Sequence, residues 1–266
     1  MTMGPTGTGA RVTRARSPRN TLIRTWAPRS GPAARIYVFP HAGAGALAVR
    51  GLAAAAPEWM EIVALRLPGR ESRLRERPLT DLDEAVTTVA DTVLATDDGT
   101  CPAFWFGACA GSVLAFETAT RLAGAGRAAG IVVSSRSAPH IAVAGAPEDD
   151  EATVKELVAL GGIRPELVAS PEALKLLLPA VTADQRLVDG YRRPARAGTD
   201  LPILALHGVD DPLLGAGDMR AWGTHTTSTT RVARIPGGHF LLDDSPQALA
   251  AEMAEFTLSV TRSAHP

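Results

Sequence analysis

The sequence predicts a doubly wound α/β fold, in which helices cover both faces of a mostly parallel central sheet. Short apolar runs of strand length alternate along the chain with longer segments of helical period, and this alternation is typical of parallel sheets. Parallel neighbours need crossover connections, and these are right-handed in nearly all proteins. The predicted strands, in chain order, cover residues 35–39, 61–65, 103–106, 130–134, 201–206 and 230–235.

Three helices are predicted among these strands. The first covers residues 82–94, which are amphipathic, and either Thr80 or Asp81 caps it. The second covers residues 112–122 and carries an apolar stripe along one side. The third covers residues 247–260 and closes the chain. These helices supply the outer layers that the fold requires.

Residues 146–193 interrupt the alternation, because they contain only helical patterns. The patterns cover residues 151–160, 165–168, 171–178 and 181–191, and they lie between two predicted strands. Ligands of open α/β sheets bind at the carboxyl ends of the strands, and a helical insert at this point is expected to lie over them. We therefore predict a helical lid, with ordinary crossover helices as the alternative.

The chain has the length of one α/β domain, which we place at residues 31–266. Residues 1–30 are rich in Gly, Thr, Pro and Arg and show little periodicity, so a disordered tail is expected there. The arginines of this segment are not followed by the apolar core of a secretory signal. The insert at residues 146–193 belongs to the same single domain.

Charge and cysteine content exclude several classes of function. A formal net charge of −1 gives no electrostatic reason to expect nucleic-acid binding, and no apolar run approaches the length of a membrane span. The two cysteines, Cys101 and Cys109, are too few for a disulfide framework. They flank one predicted strand, which disfavours a bond between them. A reducing, cytoplasmic setting is therefore expected.

The most informative motif is the run Gly107-Ala108-Cys109-Ala110-Gly111, between the third predicted strand and the second predicted helix. It has the G-x-nucleophile-x-G form of a nucleophile elbow, with cysteine in place of the usual serine. In such an elbow a sharp turn presents the nucleophile at the sheet edge, and the glycines let neighbouring backbone approach closely. Cys109 is therefore the predicted nucleophile, which needs a base and an orienting acid.

His239 is the predicted base, and Asp211 is the predicted acid. His239 follows two glycines in a loop after the last predicted strand, where this architecture presents a general base. Asp211 follows the strand at residues 201–206 and directly precedes Pro212; the adjacent Asp210 is the alternative acid. Two solvated turn carboxylates are the other interpretation. The order of nucleophile, acid and histidine is that of the α/β-hydrolase triad.

A glycine-rich loop at residues 39–45 is expected to supply half of an oxyanion hole. Such a site needs two backbone N–H donors aimed at the charge that develops during the reaction. Ala110, directly after the nucleophile, is predicted to provide one donor, and Ala42 in the loop is predicted to provide the other. A phosphate-binding loop is the rival interpretation, but the run lacks the Lys-Ser/Thr pair of that motif.

With these residues in place, the chain resembles the stand-alone, type II thioesterases of polyketide and nonribosomal-peptide pathways. The resemblance covers about residues 33–260, and its most specific pieces are Pro-His-Ala-Gly at residues 40–43 and Pro-Gly-Arg-Glu at residues 68–71. Further matching pieces are Arg-Ser-Ala-Pro at residues 136–139, Asp-Pro at residues 211–212 and Pro-Gly-Gly-His-Phe at residues 236–240.

The resemblance implies an α/β-hydrolase fold with a helical lid. It also implies an acyl substrate that is carried as a thioester on the phosphopantetheine arm of an acyl or peptidyl carrier protein, which would be the partner. The usual task of the family is the hydrolytic removal of stalled or wrong acyl groups. No cofactor of the enzyme's own is expected, and no His or Cys pair has the spacing of metal ligands.

The elbow departs from the family pattern, which reads Gly-His-Ser-Met-Gly. Here alanines flank the cysteine, so an enlarged pocket around the nucleophile is expected. A thiolate forms readily at a helix N-terminus beside an imidazole. The acyl intermediate on Cys109 would itself be a thioester, which keeps the acyl group reactive toward thiols and amines.

Three functions are therefore considered. A thioesterase that hydrolyses carrier-bound acyl groups follows from the resemblance, and an acyltransferase that passes the acyl group through Cys109 to another carrier, an amine or a hydroxyl follows from the cysteine. A non-catalytic binding protein is the third, although His239 and Asp211 argue against it. A docking patch for an acidic carrier, or simply a solvated basic loop, is predicted at Arg66, Arg70, Arg73, Arg75 and Arg77.

Overall fold

A seven-stranded sheet forms the centre of the computed structural model, which describes residues 22–263 apart from 142–144, 146, 148, 164 and 197. The spatial order is β1-β3-β2-β4-β5-β6-β7, with β1 antiparallel to β3 and all other neighbours parallel. The strands are β1 (Ile23–Trp26), β2 (Ala34–Phe39), β3 (Met60–Leu65), β4 (Ala103–Ala108), β5 (Gly130–Ser134), β6 (Ile203–Gly208) and β7 (Thr230–Ile235).

Helices cover both faces of this sheet. One face packs on α2 and α3, and the other packs on α1 and α9. The helices of the described chain are α1 (Arg50–Ala55), α2 (Leu82–Thr96), α3 (Gly111–Ala123), α4 (Asp150–Ala159), α5 (Pro165–Val168), α6 (Pro171–Val188), α7 (Ala216–Arg220), α8 (Leu241–Asp244) and α9 (Pro246–Ser263). None of the helices in this part of the chain combines the length and hydrophobicity that crossing a membrane requires.

The strands of the central sheet are apolar on both sides, because each face is buried under helices. In β4, Phe104 and Trp105 are both fully buried although they point to opposite faces. Trp105 stacks on Tyr37 of β2 at a ring separation of 4.7 Å, and Phe104 meets Phe256 of α9 edge-on. This two-sided burial explains why the sequence shows apolar runs rather than alternation.

The predicted α/β fold class is confirmed, and the predicted strands and helices are present within a few residues of their expected ends. Asp81 is the cap of α2, because its carboxylate accepts the backbone N–H of Glu84 at 2.8 Å, so Thr80 is not the cap. The strand expected at residues 201–206 is displaced by two positions. It ends at Gly208, so His207 lies inside β6 rather than after it.

The prediction of a disordered tail over residues 1–30 is wrong at its C-terminal end. Residues 1–21 lie outside the described residues, but Ile23–Trp26 forms the edge strand β1. Its ladder pairs Ile23 with Leu65 and Trp26 with Ile62, and the Trp26 indole donates to the carbonyl of Ala46 at 2.8 Å. These contacts are tertiary, so the local sequence of the strand gives little sign of them.

The predicted helical insert is present between β5 and β6, and its described residues form three helices instead of four. Residues 171–178 and 181–191 were predicted as separate helices, but α6 runs without a break through Pro179. An interior proline costs about 3 kcal/mol or more. Here Leu178, Ala180 and Val181 are buried on either side of it, and this burial offsets the cost.

The insert lies over the carboxyl ends of the strands, as expected of a lid. Leu157 of α4, Ile163 and Val181 of α6 form a small apolar cluster with Phe240. Phe240 directly follows His239, so the insert packs against the loop that carries the predicted base. The opening movement of these helices stays a prediction.

Candidate active site

Cys109 lies at the tip of a sharp turn between β4 and α3. Its φ of +52° is in the left-handed region, and its backbone N–H donates to the carbonyl of Ser134 at 2.8 Å. A Cβ atom added to Gly107 would lie 2.1 Å from the carbonyl oxygen of Gly111, and one added to Gly111 would lie 2.5 Å from that of Phe39. Only glycine fits at either position, which explains the G-x-C-x-G spacing.

Ser112 fastens this turn to the neighbouring strand. Its side chain is fully buried, with Oγ 2.8 Å from the carbonyl of Gly107 and 3.0 Å from that of Ser134. Oγ also lies 3.2 Å from the backbone nitrogen of Ser134, from which it accepts. The sequence analysis placed Ser112 only at the start of a helix. A small hydroxyl directly after the second elbow glycine is the signal that could have identified it.

The predicted triad residues come together at the carboxyl edge of the sheet. The Nδ1 atom of His239 lies 3.0 Å from Oδ2 of Asp211, and Oδ1 of Asp211 accepts the backbone N–H of Leu213 at 2.9 Å. The thiol of Cys109 hydrogen-bonds to the His239 ring, for which Nε2 is the nitrogen that Asp211 leaves free. Asp210, the alternative acid, is exposed and is not the partner of His239.

The Cys109 thiol and the His239 ring favour an ion pair. Burial acts to raise the pKa of Cys109, but the hydrogen bond and charge of His239, the charge of Arg136 and the N–H of Ala110 outweigh it and lower that pKa. Burial acts to lower the pKa of His239, but its hydrogen bonds to Asp211 and Cys109 raise that pKa above its ordinary value. A thiolate facing an imidazolium is the resting state that these shifts favour.

His41 is a second histidine at the site, in the loop that follows β2. Its ring packs edge-on against Phe240 at 4.7 Å, and its side chain is buried. Burial, and then the charge of His239, lower the pKa of His41 to about 4. It therefore stays neutral near pH 7, and its role here is to pack beneath the loop of His239.

Ala110 and Ala42, the predicted oxyanion-hole donors, line the same cavity as Cys109 and His239. The next residue in the loop, Gly43, donates its N–H to Oδ2 of Asp184 at 2.8 Å. Its φ of +75° and the closeness of Val181 leave no space for a side chain there. The loop that carries Ala42 is therefore held from α6.

Arg70 completes this anchor of the loop. Its guanidinium binds both carboxylate oxygens of Asp184, at 2.5 and 2.7 Å, and the carbonyl of Ala44 at 3.1 Å. The Arg70 and Asp184 side chains are each 6% exposed. Arg70 therefore cannot belong to an exposed docking patch, which corrects one residue of the predicted basic patch. Asp184 lies in the insert, and the sequence analysis did not single it out.

The nucleophile opens into a cavity of about 550 Å³ that the insert encloses from above. Cys109, Ala110, Ala42 and His239 form its floor. The insert contributes Leu157, Leu160, Val181 and Val188 to the apolar part of its wall, and residues outside the insert contribute Ile141, Leu213, Leu214 and Phe240. A cavity of this size, lined by both apolar and polar side chains, is suited to a small-molecule group.

The two alanines of the elbow differ in their surroundings. Ala110 lines the cavity, so its small side chain leaves space beside Cys109. Ala108 is buried in the core on the opposite face of the sheet, where the space is filled by other side chains. The expectation of an enlarged pocket therefore applies to Ala110 and not to Ala108.

Comparison with known proteins identifies the family. A family model described as the thioesterase domain matches residues 34–256. The chain is 32% identical over 248 residues to a probable cadicidin biosynthesis thioesterase of Streptomyces griseus, covering 92% of this chain and 68% of that protein. The chain belongs to the thioesterase family. It is also 30% identical over 251 residues to thioesterase PikA5 of Streptomyces venezuelae, covering 91% of this chain and 87% of PikA5.

A solved structure agrees with this family. The type II thioesterase BorB from the borrelidin biosynthetic cluster matches with a TM-score of 0.79 and 32% identity, over 91% of this chain and 99% of BorB. The resemblance inferred from the motifs of the sequence is thereby confirmed, and so is the α/β-hydrolase fold. In this chain the residue at the tip of the elbow is a cysteine, Cys109.

The described residues of this thioesterase-family chain contain no group of three His, Cys, Asp or Glu side chains placed to hold a metal ion. The cavity floor includes the thiol of Cys109 and the imidazole of His239, and Ala42 and Ala110 lie beside them. This set suits nucleophilic attack on an activated carbonyl.

Alkylation should distinguish the two cysteines of this thioesterase-family chain. Burial, with the nearby Asp97, Glu61 and Asp98, raises the pKa of Cys101, whereas that of Cys109 is lowered. Iodoacetamide near neutral pH is expected to modify Cys109 first, as followed by peptide mass spectrometry. The rate at Cys109 should stay high as pH falls below the ordinary thiol range.

His239→Ala is the matched variant for this measurement. It removes the group that most favours the thiolate, so the pKa of Cys109 rises and alkylation of Cys109 slows near neutral pH. The rate at Cys101 should not change, because His239 is not among the groups that act on it. Equal alkylation rates at Cys101 and Cys109 in the native protein would contradict the ion pair between Cys109 and His239.

The adjacent aspartates offer a matched pair of variants. Asp211→Asn is expected to lower kcat toward acyl thioesters by up to about 10⁴-fold, because the amide no longer fixes the tautomer of His239 or stabilises its charge. Asp210→Asn should have little effect, since this side chain is exposed. Steady-state kinetics of both variants test the assignment, and a larger loss in Asp210→Asn would reverse it.

Proposed function

We propose that the chain is a thioesterase that removes acyl groups from the phosphopantetheine arm of an acyl or peptidyl carrier protein through an acyl-Cys109 intermediate. One observation carries the proposal. The Cys109 thiol hydrogen-bonds to His239, and His239 hydrogen-bonds to Asp211. Cys109 and His239 line a cavity that the insert covers. The names of two relatives, a cadicidin biosynthesis thioesterase and a type II thioesterase from the borrelidin biosynthetic cluster, support the class of substrate.

The first half-reaction forms the acyl enzyme. The thiolate of Cys109 attacks the thioester carbonyl carbon. The N–H groups of Ala42 and Ala110 donate hydrogen bonds to the carbonyl oxygen, on which negative charge develops. When the intermediate collapses, the carbon–sulfur bond to pantetheine breaks. His239 gives its proton to the departing pantetheine sulfur and becomes neutral.

The second half-reaction releases the acid. Neutral His239 takes a proton from a water molecule, whose oxygen attacks the acyl-Cys109 carbonyl. The bond between the carbonyl carbon and Sγ then breaks, and Cys109 returns to the thiolate beside the protonated ring. Asp211 stays ionised throughout and holds the ring through Nδ1. In this scheme the phosphopantetheine belongs to the carrier, and the enzyme needs no cofactor or metal of its own.

Acyl transfer is the second candidate, because the nucleophile is a cysteine. Acylation of Cys109 exchanges one thioester for another, so little of the acyl group's reactivity is lost. A second carrier's thiol, an amine or a hydroxyl can then replace water in the second half-reaction. A free thiol at the active site also fits a reducing, cytoplasmic setting.

Mass spectrometry of the intact protein tests both candidates. The chain is mixed with a carrier protein that bears a defined acyl group, and the acyl-Cys109 adduct, the free acid and the unloaded carrier are followed over time. Release of free acid in the absence of another acceptor supports the thioesterase. A stable adduct that discharges only when a second carrier or an amine is added supports the transferase.

Failure of every acylated carrier to acylate Cys109 or to release acid would contradict both catalytic proposals. It would favour the third candidate, a binding protein. In that case alkylation of Cys109 should leave carrier binding unchanged.

A further inference from the structure

Two neighbouring strands end side by side at the cavity floor. Ala108 of β4 pairs with Ser134 of β5, so the residues that follow them, Cys109 and Ser135, leave the sheet together. Both have a left-handed backbone, with φ of +52° at Cys109 and +53° at Ser135. Residues other than glycine rarely adopt this backbone conformation, and such strained residues are often found at functional sites. The mechanism described above uses Cys109 and gives no task to Ser135.

Ser135 lines the cavity, and its hydroxyl group has no hydrogen-bond partner among the described residues. The residue is 1% exposed, and it lines the cavity that holds Cys109. Among the described residues its Oγ atom is buried without a hydrogen bond. A buried hydroxyl left unpaired is unfavourable, so a ligand atom that forms a hydrogen bond with it is favoured.

Arg136 brings a positive charge to the same place. It is half-buried and lines the cavity, and no described carboxylate lies within ion-pair distance of its guanidinium. Its main chain is fixed, because the Trp222 indole donates to its carbonyl at 2.8 Å. Ser137, which is 6% exposed, lines the cavity beside it.

The carboxylates at this cavity do not neutralise the arginine by direct contact. Glu156 and Asp189 are exposed at the rim, and Asp218 accepts the N–H of Gly215 at 2.9 Å. Arg192, the other arginine at the cavity, is also exposed. Arg136 is thus the less exposed of the two arginines, and its charge acts on Cys109.

We propose that Ser135, Arg136 and Ser137 form an anion subsite that selects short acyl groups bearing a second carboxylate, such as malonyl or succinyl groups. A guanidinium presents a planar fork of donors that matches a carboxylate, and hydroxyl groups complete its hydrogen bonds. The phosphate of the pantetheine arm is at the far end of the arm from the thioester. The group that can reach a cation next to Cys109 is therefore part of the acyl chain.

This inference rests on the proposed function, and thioesters matched in shape test it. Carrier-bound malonyl and succinyl groups are compared with the 3-methylbutyryl and 4-methylpentanoyl groups, in which an isopropyl end replaces the carboxylate. Rates of Cys109 acylation are measured for each. The native protein should acylate faster with each carboxylate than with its neutral partner.

Arg136→Met should lower kcat/KM for the carboxylated thioesters on the order of 10- to 100-fold more than for the neutral ones. Arg136→Lys should restore part of the preference, because it keeps the charge without the fork. Ser135→Gly, which suits the left-handed backbone, should lower the preference by a smaller factor. Arg220→Met, an exposed arginine outside the cavity, is the matched control.

The ratio of the two rates separates selection from a general effect on the thiol. Loss of the Arg136 charge also makes the Cys109 thiolate less favourable, but that slows all thioesters by one common factor. A ratio near one in the native protein, or a ratio that Arg136→Met leaves unchanged, would overturn the subsite while leaving the thioesterase intact.

Absence of acylation by any thioester would instead count against the proposed function. The subsite then has its own measurement, which is protection of Cys109 from iodoacetamide by free succinate. Protection that is lost in Arg136→Met supports the subsite, and no protection in the native protein overturns it.

Discussion

Cys109→Ala is expected to lower kcat/KM toward acyl-carrier thioesters on the order of 10⁴-fold or more. The variant removes the thiol that contacts His239 and leaves the oxyanion donors and the cavity in place. Residual activity would then come from direct attack by water. The rate of acid release, measured with a single acylated carrier, is the readout, and Cys101→Ala is the matched control because Cys101 lies outside this cavity.

Cys109→Ser is the more informative substitution at this position. Serine would hold the acyl group as an oxygen ester, which thiols and amines discharge less readily than they discharge a thioester. An enzyme that normally transfers the acyl group should therefore shift toward hydrolysis. If the ratio of transfer to hydrolysis is the same in both forms, the reactivity of the acyl-cysteine does not decide the outcome.

Substantial turnover by Cys109→Ala would contradict the covalent route altogether. His239 and Asp211 would then act on water directly, and Cys109 would be only a neighbour of the base. Mass spectrometry of the intact variant after mixing with acylated carrier distinguishes this case, since no adduct would form although acid is released.

The parts of the site that could be predicted from the sequence depend on local geometry. The elbow is recognisable because close backbone approach at Gly107 and Gly111 leaves no alternative to glycine. Both glycines lie within five consecutive residues, so the motif can be read directly from the sequence. Asp211 and His239 could be predicted for a second reason, since each follows a strand that ends at the same edge of the sheet. Topology alone brings the ends of such strands together.

The parts that could not be predicted depend on contacts between distant residues. The pairing of Arg70 with Asp184 joins positions 114 residues apart, and nothing in the helical pattern of α6 marks Asp184 as buried. Strand β1 is specified mainly by its ladder with β3. In α6, tertiary packing outweighs the tendency of Pro179 to end a helix, and the local sequence does not show which of the two effects is larger.

Asp184→Leu is expected to destabilise the protein by about 3–5 kcal/mol, because it leaves the buried Arg70 guanidinium without a counter-charge. Urea unfolding provides the measurement. The double variant Arg70→Met/Asp184→Leu should recover most of this loss, since an apolar pair of similar volume removes the unpaired charge. Arg121→Met/Asp83→Leu, together with its single variants, is the control, because this exposed pair is expected to contribute about 1 kcal/mol or less.

Activity should not recover with stability in the double variant, and this separates the two roles of Asp184. Its Oδ2 atom also accepts the N–H of Gly43, which follows Ala42 in the oxyanion loop. Leucine cannot accept that bond, so the Ala42 donor loses its fixed position even when the fold is restored. A misplaced oxyanion donor costs on the order of 10²–10³-fold in kcat. A double variant with normal stability and normal kcat would show that the loop keeps its shape without α6.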